Sequence, residues 1–229
     1  MTDQINGISS MATRQILAEL AGLYERRTGV PVAISSMGGV EAAMRIRAGE
    51  ATDIVILASN VMEQLETEGH IASGSQAEFA RSRIAIATRL GEPRTSIDDE
   101  EAVKNLILNA GKFCYSTGPS GDHLMRLLHR WGMAEAMSQR LLQAPPGVPV
   151  GTMIARGEAD LGLQQLSELL PVAGIEILGP LPPEIQAVTV FASGVSRRSS
   201  RPKEAQALVD FLNSADAEGA KRRHGMEPA

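Results

Sequence analysis

Three short runs concentrate serine and glycine where an apolar stretch gives way to a helical one. They are Ile8-Ser9-Ser10-Met11, Ile34-Ser35-Ser36-Met37-Gly38-Gly39 and Tyr115-Ser116-Thr117-Gly118-Pro119-Ser120-Gly121. A strand that ends in small turn-forming residues and feeds a helix presents hydroxyls and unpaired backbone N–H groups at the positive end of the helix dipole. The chemistry offered is anion binding. One serine at such a junction is ordinarily a helix cap. Three serine-rich junctions of one kind point instead to a small anion held by several helix N-termini. Ser9, Ser10, Ser36, Ser120 and Gly121 are the candidate contacts, with Pro119 fixing the third turn and Gly121 letting backbone approach closely.

Acid–base and clamping residues are fewer. His123 lies in the first turn after the third run, and Glu41 and Glu168 are the other two side chains that could move a proton. In Arg81-Ser82-Arg83, just before an apolar strand, an arginine could clamp a carboxylate through two parallel hydrogen bonds. Its competing role is a solvated surface charge, the role also expected of Arg14 and Arg45. Cys114 is the only cysteine, sits in Phe113–Tyr115, and reads as a buried strand residue rather than a nucleophile. His70, His129 and His224 make no metal spacing with one another, and no nucleotide-binding glycine fingerprint is present. No metal and no cofactor is expected.

These residues need elements to hold them. Apolar residues recur at helical spacing from Ile16 to Tyr24, with Gly29 as a stop. Val30–Ser35 reads as a strand, Val40–Ala48 as a helix and Asp53–Ala58 as a strand; Ser59-Asn60 then caps a helix over Val61–Glu68. The same grammar continues with a strand Ile84–Thr88, a helix Ala102–Asn109, a strand Phe113–Ser116 and a helix Asp122–Trp131. Further on come a helix Thr152–Arg156, strands Leu161–Leu163, Ile175–Leu178 and Ala187–Phe191, and helices Pro202–Leu212 and Ala215–His224. Repeated βα units imply an α/β fold with mostly parallel sheets flanked by helices. In such sheets ligands sit at the carboxyl ends of strands, where all three serine runs fall.

Bulk composition narrows the function. The 229 residues are 43% hydrophobic and 21% charged, ordinary for a globular chain. Aromatics are 3% and the formal net charge is −5, which argues against nucleic acid as a partner. No stretch reaches membrane-spanning length, so no membrane insertion is expected. Met1-Thr2-Asp3-Gln4 leads directly into Ile5–Ile8 without a leader. The chain as written is therefore expected in the cytoplasm, or in the periplasm if a leader has been removed.

The serine runs, together with Arg47-Ala48-Gly49-Glu50-Ala51-Thr52-Asp53-Ile54-Val55-Ile56, Arg156-Gly157-Glu158-Ala159-Asp160-Leu161-Gly162 and Phe211-Leu212-Asn213-Ser214, resemble the type II periplasmic binding proteins. The molybdate-binding branch is the most similar. The resemblance implies two α/β lobes, residues 1–81 with 194–229 and residues 82–193, joined by two crossing strands and closing as a hinge on an anion in the cleft. Ser10 matches the first hydroxyl of the molybdate binders. Their second serine falls on Gly39, beside Gly38, and their tyrosine on Gln165. By the same analogy Arg81 is preferred over Arg83 as a counter-charge. A missing hydroxyl and an amide in place of a phenol favour a larger, partly organic anion.

The segment Gln164–Leu170 with Pro171–Ile175 and Gly179–Pro183 resembles a subgroup that includes a bacterial aconitate isomerase of the same fold. The expectation is a monomeric solute-binding protein for a carboxylate, delivering it to an ABC transporter membrane component if secreted. The alternatives are an isomerase of an unsaturated polycarboxylate and a molybdate or tungstate binder. A ligand-sensing domain acting through a partner protein is also compatible with the fold.

Overall fold

The computed structural model describes residues 4–229; residues 1–3, on which the reading of the chain start partly rests, lie outside the described residues. In chain order the first elements are β1 (Ile5–Ser10), a 3-10 turn (Met11–Thr13), α1 (Arg14–Thr28), β2 (Val32–Met37), α2 (Gly39–Arg47), β3 (Ile54–Ala58) and α3 (Ser59–Thr67). The middle of the chain forms β4 (Ala77–Arg89), α4 (Glu100–Asn109), β5 (Phe113–Tyr115), α5 (Pro119–Arg130), α6 (Ala134–Met137), β6 (Leu141–Gln143), α7 (Val150–Ala155), β7 (Leu161–Gln165), α8 (Leu166–Leu169) and β8 (Ile175–Pro180). The chain closes with β9 (Val188–Val195), α9 (Pro202–Leu212), α10 (Ala215–Arg223) and β10 (Met226–Pro228).

Local chemistry sets several of these limits. α1 buries Ile16, Leu17, Leu20 and Tyr24 on one face and ends at Gly29, whose φ of 75° is open to glycine at no steric cost. α9 starts with Pro202 in its first turn, where a missing N–H costs nothing. Two helices begin earlier than the sequence suggests. Ser59 opens α3 rather than capping it, and α5 starts at Pro119, three residues ahead of Asp122.

The chain divides into two compact units: residues 1–82 with 189–229, and residues 83–188. In the first, β1 pairs in parallel with β2 and with β3, β9 pairs antiparallel with β3, and β10 pairs antiparallel with the start of β4. All of β3 is buried, and its side chains alternate between two cores. Ile54, Ile56 and Ala58 join the cluster of α1, α9 and Phe79, while Val55 and Leu57 join that of Ile46, Met62 and Leu65.

In the second unit β5 pairs in parallel with β6 and β7, and the end of β4 pairs antiparallel with β7 and β8. Here too alternation splits a strand: Ile84 and Ile86 pack with Phe113 and Leu128, Ala85 and Ala87 with Val150 and Ile154. The sheets are thus mixed. The βα units supply the parallel pairs, and the strands on which the chain leaves and re-enters a unit supply antiparallel ones.

One charge in the first unit's core is exceptional. Lys221 is 2% exposed, and its Nζ lies 4.9 Å from the Phe79 ring centroid. Burial pushes its ammonium down to about 8, with Glu218 acting in the opposite direction. A cation whose folded pKa lies below its unfolded value costs stability fully below about 8, and the cost fades as pH rises toward 10.5. Lys221→Met is therefore expected to stabilise the protein at pH 7 by roughly 2–3 kcal/mol. Denaturant titrations at pH 7 and pH 10 test this: a gain no smaller at pH 10 would rule out the burial penalty.

Candidate functional site

The parallel register of β1 and β2 sets Ser9 opposite Ser36 at the carboxyl ends of both strands. Their hydroxyl oxygens are 2.8 Å apart. Ser9 Oγ also lies 3.4 Å from the Ser10 carbonyl, an acceptor for the Ser9 proton when Ser36 donates to Ser9. Ser9 is fully buried beneath the strand ends. Ser10 caps the 3-10 turn, its Oγ accepting from the Ala12 amide at 3.4 Å, while its carbonyl accepts from Thr13 Oγ1.

Beyond β2, Gly38 and Gly39 lead into α2 with ordinary negative φ at Gly38. A Cβ added at either glycine would meet nothing within 4 Å. Backbone geometry does not require glycine there. What its absence of side chain leaves is open space over the first turn of α2.

A second hydroxyl pair occurs in the other unit. Ser116 and Ser120 oxygens are 2.9 Å apart across the turn from β5 into α5, and Ser116 Oγ also accepts from the Gly118 amide. Ser120 is 1% exposed. Because α5 starts at Pro119, Ser120 and Gly121 belong to its first turn rather than to a loop before it. Gly121 serves the turn itself: a Cβ there would lie 1.8 Å from the Ser116 carbonyl oxygen and 3.0 Å from the Tyr115 ring.

Next to β5, the parallel strand β7 carries Gln164 and Gln165 to the same end of the sheet. Successive residues of a strand face opposite ways. Gln165, buried and in register with Ile84, therefore shares the face of Leu161 and Leu163, and Gln164 the face packed under α7. Gln164 Oε1 accepts from the Val150 amide at 2.9 Å, which turns its NH₂ toward Glu168 Oε1 at 2.8 Å. Burial raises the Glu168 carboxyl to about 7, and the Gln164 hydrogen bond only partly offsets it. Ser167 beside it is buried, and its hydroxyl has no hydrogen-bond partner.

The remaining candidates have other surroundings. Glu41 forms an i,i+4 ion pair with Arg45 at 2.9 Å on the exposed face of α2. Arg81 is exposed and meets Glu78 at 3.2 Å. Ser82 is fully buried, in register with Met226, with its hydroxyl unpaired. His123 Nε2 donates to the Ile185 carbonyl at 2.7 Å, tying α5 to the 182–187 segment, and burial lowers its pKa. Cys114 is buried 3.7 Å from the Met153 sulfur, with its thiol pushed up to about 11. That suits a core residue and not a nucleophile.

Among the described residues no cluster of His, Cys, Asp and Glu could hold a metal, and no helix is long and apolar enough to cross a membrane. Sequence reasoning missed Ser116 and Gln164 as site-building residues. The Gln164-Gln165 doublet at a strand end was the available signal, since one of the two must face away from the other.

The model of the bacterial extracellular solute-binding proteins matches residues 5–227. The chain is 34% identical to an aconitate isomerase from Pseudomonas sp. over 226 residues, 96% of this chain and 86% of that one. It is 26% identical to the molybdate-binding protein ModA of Azotobacter vinelandii, covering 91% of this chain and 84% of the relative. The solved periplasmic molybdate-binding protein of Azotobacter vinelandii superposes with a TM-score of 0.82 at 18% identity, covering 97% and 98% of the two chains.

Proposed function

Because this chain belongs to the bacterial extracellular solute-binding protein family, with the type II fold of its molybdate-binding relatives, we propose that it binds a small polycarboxylate at its serine-lined strand ends. The observation that carries the reading is the hydroxyl pair repeated in each unit, Ser9 with Ser36 and Ser116 with Ser120. Each pair sets hydroxyls beside the first turn of a helix, where they and the helix's unpaired amides make the donor chemistry a carboxylate needs. Open space at Gly39 and the amide of Gln165 suit an organic anion better than a compact tetrahedral oxyanion. Transfer of the anion to an ABC transporter membrane component belongs to this reading.

A second reading, isomerisation of an unsaturated tricarboxylate, is favoured by two observations: the identity with an aconitate isomerase, and a carboxyl, Glu168, held near neutrality. The test is a thermal-shift panel of cis-aconitate, trans-aconitate, citrate, molybdate and tungstate. The aconitates at a hundredfold excess over Kd should stabilise the protein by about 2.7 kcal/mol, and the metal oxyanions should have little effect. Stabilisation by molybdate or tungstate alone would overturn the polycarboxylate reading. Proton NMR on cis-aconitate incubated with the protein then separates binding from catalysis.

A further inference from the structure

We propose that Glu168 is the acid–base group of this chain, carrying a proton between two carbons of an unsaturated polycarboxylate, and that Gln164 positions it. The inference rests on the isomerase reading and names the residue that would perform it. Two observations converge. Glu168 stands in the first turn of α8, directly after the carboxyl end of β7, where parallel β5 also delivers the Ser116–Ser120 pair. Its Oε1 is fixed by Gln164, whose amide cannot flip without losing the Val150 bond. The Gln164 hydrogen bond engages Oε1, one of the two carboxyl oxygens.

The surroundings keep the carboxyl poised. α7 and α8 pack Val150, Met153 and Leu169 on this side of the sheet, and only burial and the Gln164 amide act on Glu168. Among the described residues no cation acts on it. Ser167, buried with an unpaired hydroxyl one residue away, is a further donor at the same place.

The step balances without any co-reactant. Ionised Glu168 takes a proton from the methylene carbon beside one carboxylate of the substrate. The C–H electron pair becomes a new C=C bond, the old double bond shifts, and the charge is spread over the dienolate. Serine hydroxyls and helix N-termini are the donors suited to that charge. The proton on Glu168 then returns to the former vinylic carbon, so substrate and product have the same formula and Glu168 ends ionised.

The experiment follows cis-aconitate by proton NMR with wild type, Glu168→Gln, Glu168→Asp and Gln164→Leu, each also titrated with citrate by calorimetry. Expected results are a 10²–10⁴-fold loss of conversion in Glu168→Gln with citrate binding kept, and partial activity in Glu168→Asp. In wild type, kcat should rise with pH to a plateau above an apparent pKa near 7. Gln164→Leu should move that midpoint, which a merely structural role would not do. Conversion by Glu168→Gln within tenfold of wild type would overturn the assignment while sparing the isomerase reading. No conversion by wild type, with citrate still bound, would overturn the isomerase reading and the assignment with it.

Discussion

Gly121→Ala is expected to destabilise the protein by about 3 kcal/mol or more, although alanine is the better helix former by about 1 kcal/mol. The two effects oppose, and geometry decides between them. A Cβ at this position would sit 1.8 Å from the Ser116 carbonyl oxygen and 2.9 Å from its carbonyl carbon, both backbone atoms that no rotamer change can move. The turn would have to open, and Ser116 Oγ would lose its Ser120 and Gly118 partners together. For a chain of this length each kcal/mol corresponds to roughly 2–4 °C in Tm, so a fall of about 6–12 °C is anticipated. Calorimetry on the variant checks it. A change under 2 °C would show that the turn opens freely and that glycine is needed there for some other reason.

Glu168→Gln should behave in the opposite way. Glu168 ionises near 7 in the folded chain and near 4.5 when unfolded. Below about 4.5 both states hold the proton and the residue contributes nothing to pH dependence. Between 4.5 and 7 the unfolded state loses its proton first, so wild type loses stability as pH rises; above 7 the full penalty applies. The variant keeps an acceptor for Gln164 and escapes the penalty. It should be more stable than wild type by roughly 2–3 kcal/mol at pH 8 and nearly equal to it at pH 4.5. Denaturant midpoints at the two pH values measure this directly, and equal midpoints at pH 8 would rule out a carboxylate penalised by desolvation. A stabilising change that removes chemistry is what a residue kept for function would show.

Much of the fold was legible because its signals are local. Pro202 and the apolar spacing after it mark α9 to the residue, and the unbroken run Ile54–Ala58 announces a strand covered on both faces. β4 was harder to see. Only its second half is an apolar run, while exposed Arg81 and Arg83 flank buried Ser82 and mask the start. β6 and β10, of three residues each, owe their form to the strands beside them rather than to any pattern of their own.

The site was legible in residue types but not in pairings. Nothing local reveals that Ser9 meets Ser36, because that contact comes from strand register 27 residues apart. Gly121 was read as letting backbone approach closely, and the backbone that does so is the chain's own Ser116 carbonyl. Glu168 was one of three proton-moving candidates, and no local pattern shows that Glu41 meets Arg45, His123 meets Ile185 and Glu168 meets Gln164.

The division of the chain also has a consequence for how it is made. The second unit is one uninterrupted segment, while the first is assembled from both ends of the sequence. Its main core joins Ile5, Leu17 and Ile54 to Phe191, Leu208, Leu212 and Met226. A nascent chain emerging at about 5–20 residues per second holds the early strands exposed until those last apolar residues appear. The middle segment has all its own partners well before that. The early strands of the first unit thus wait for β9, α9 and α10 before their shared core can close.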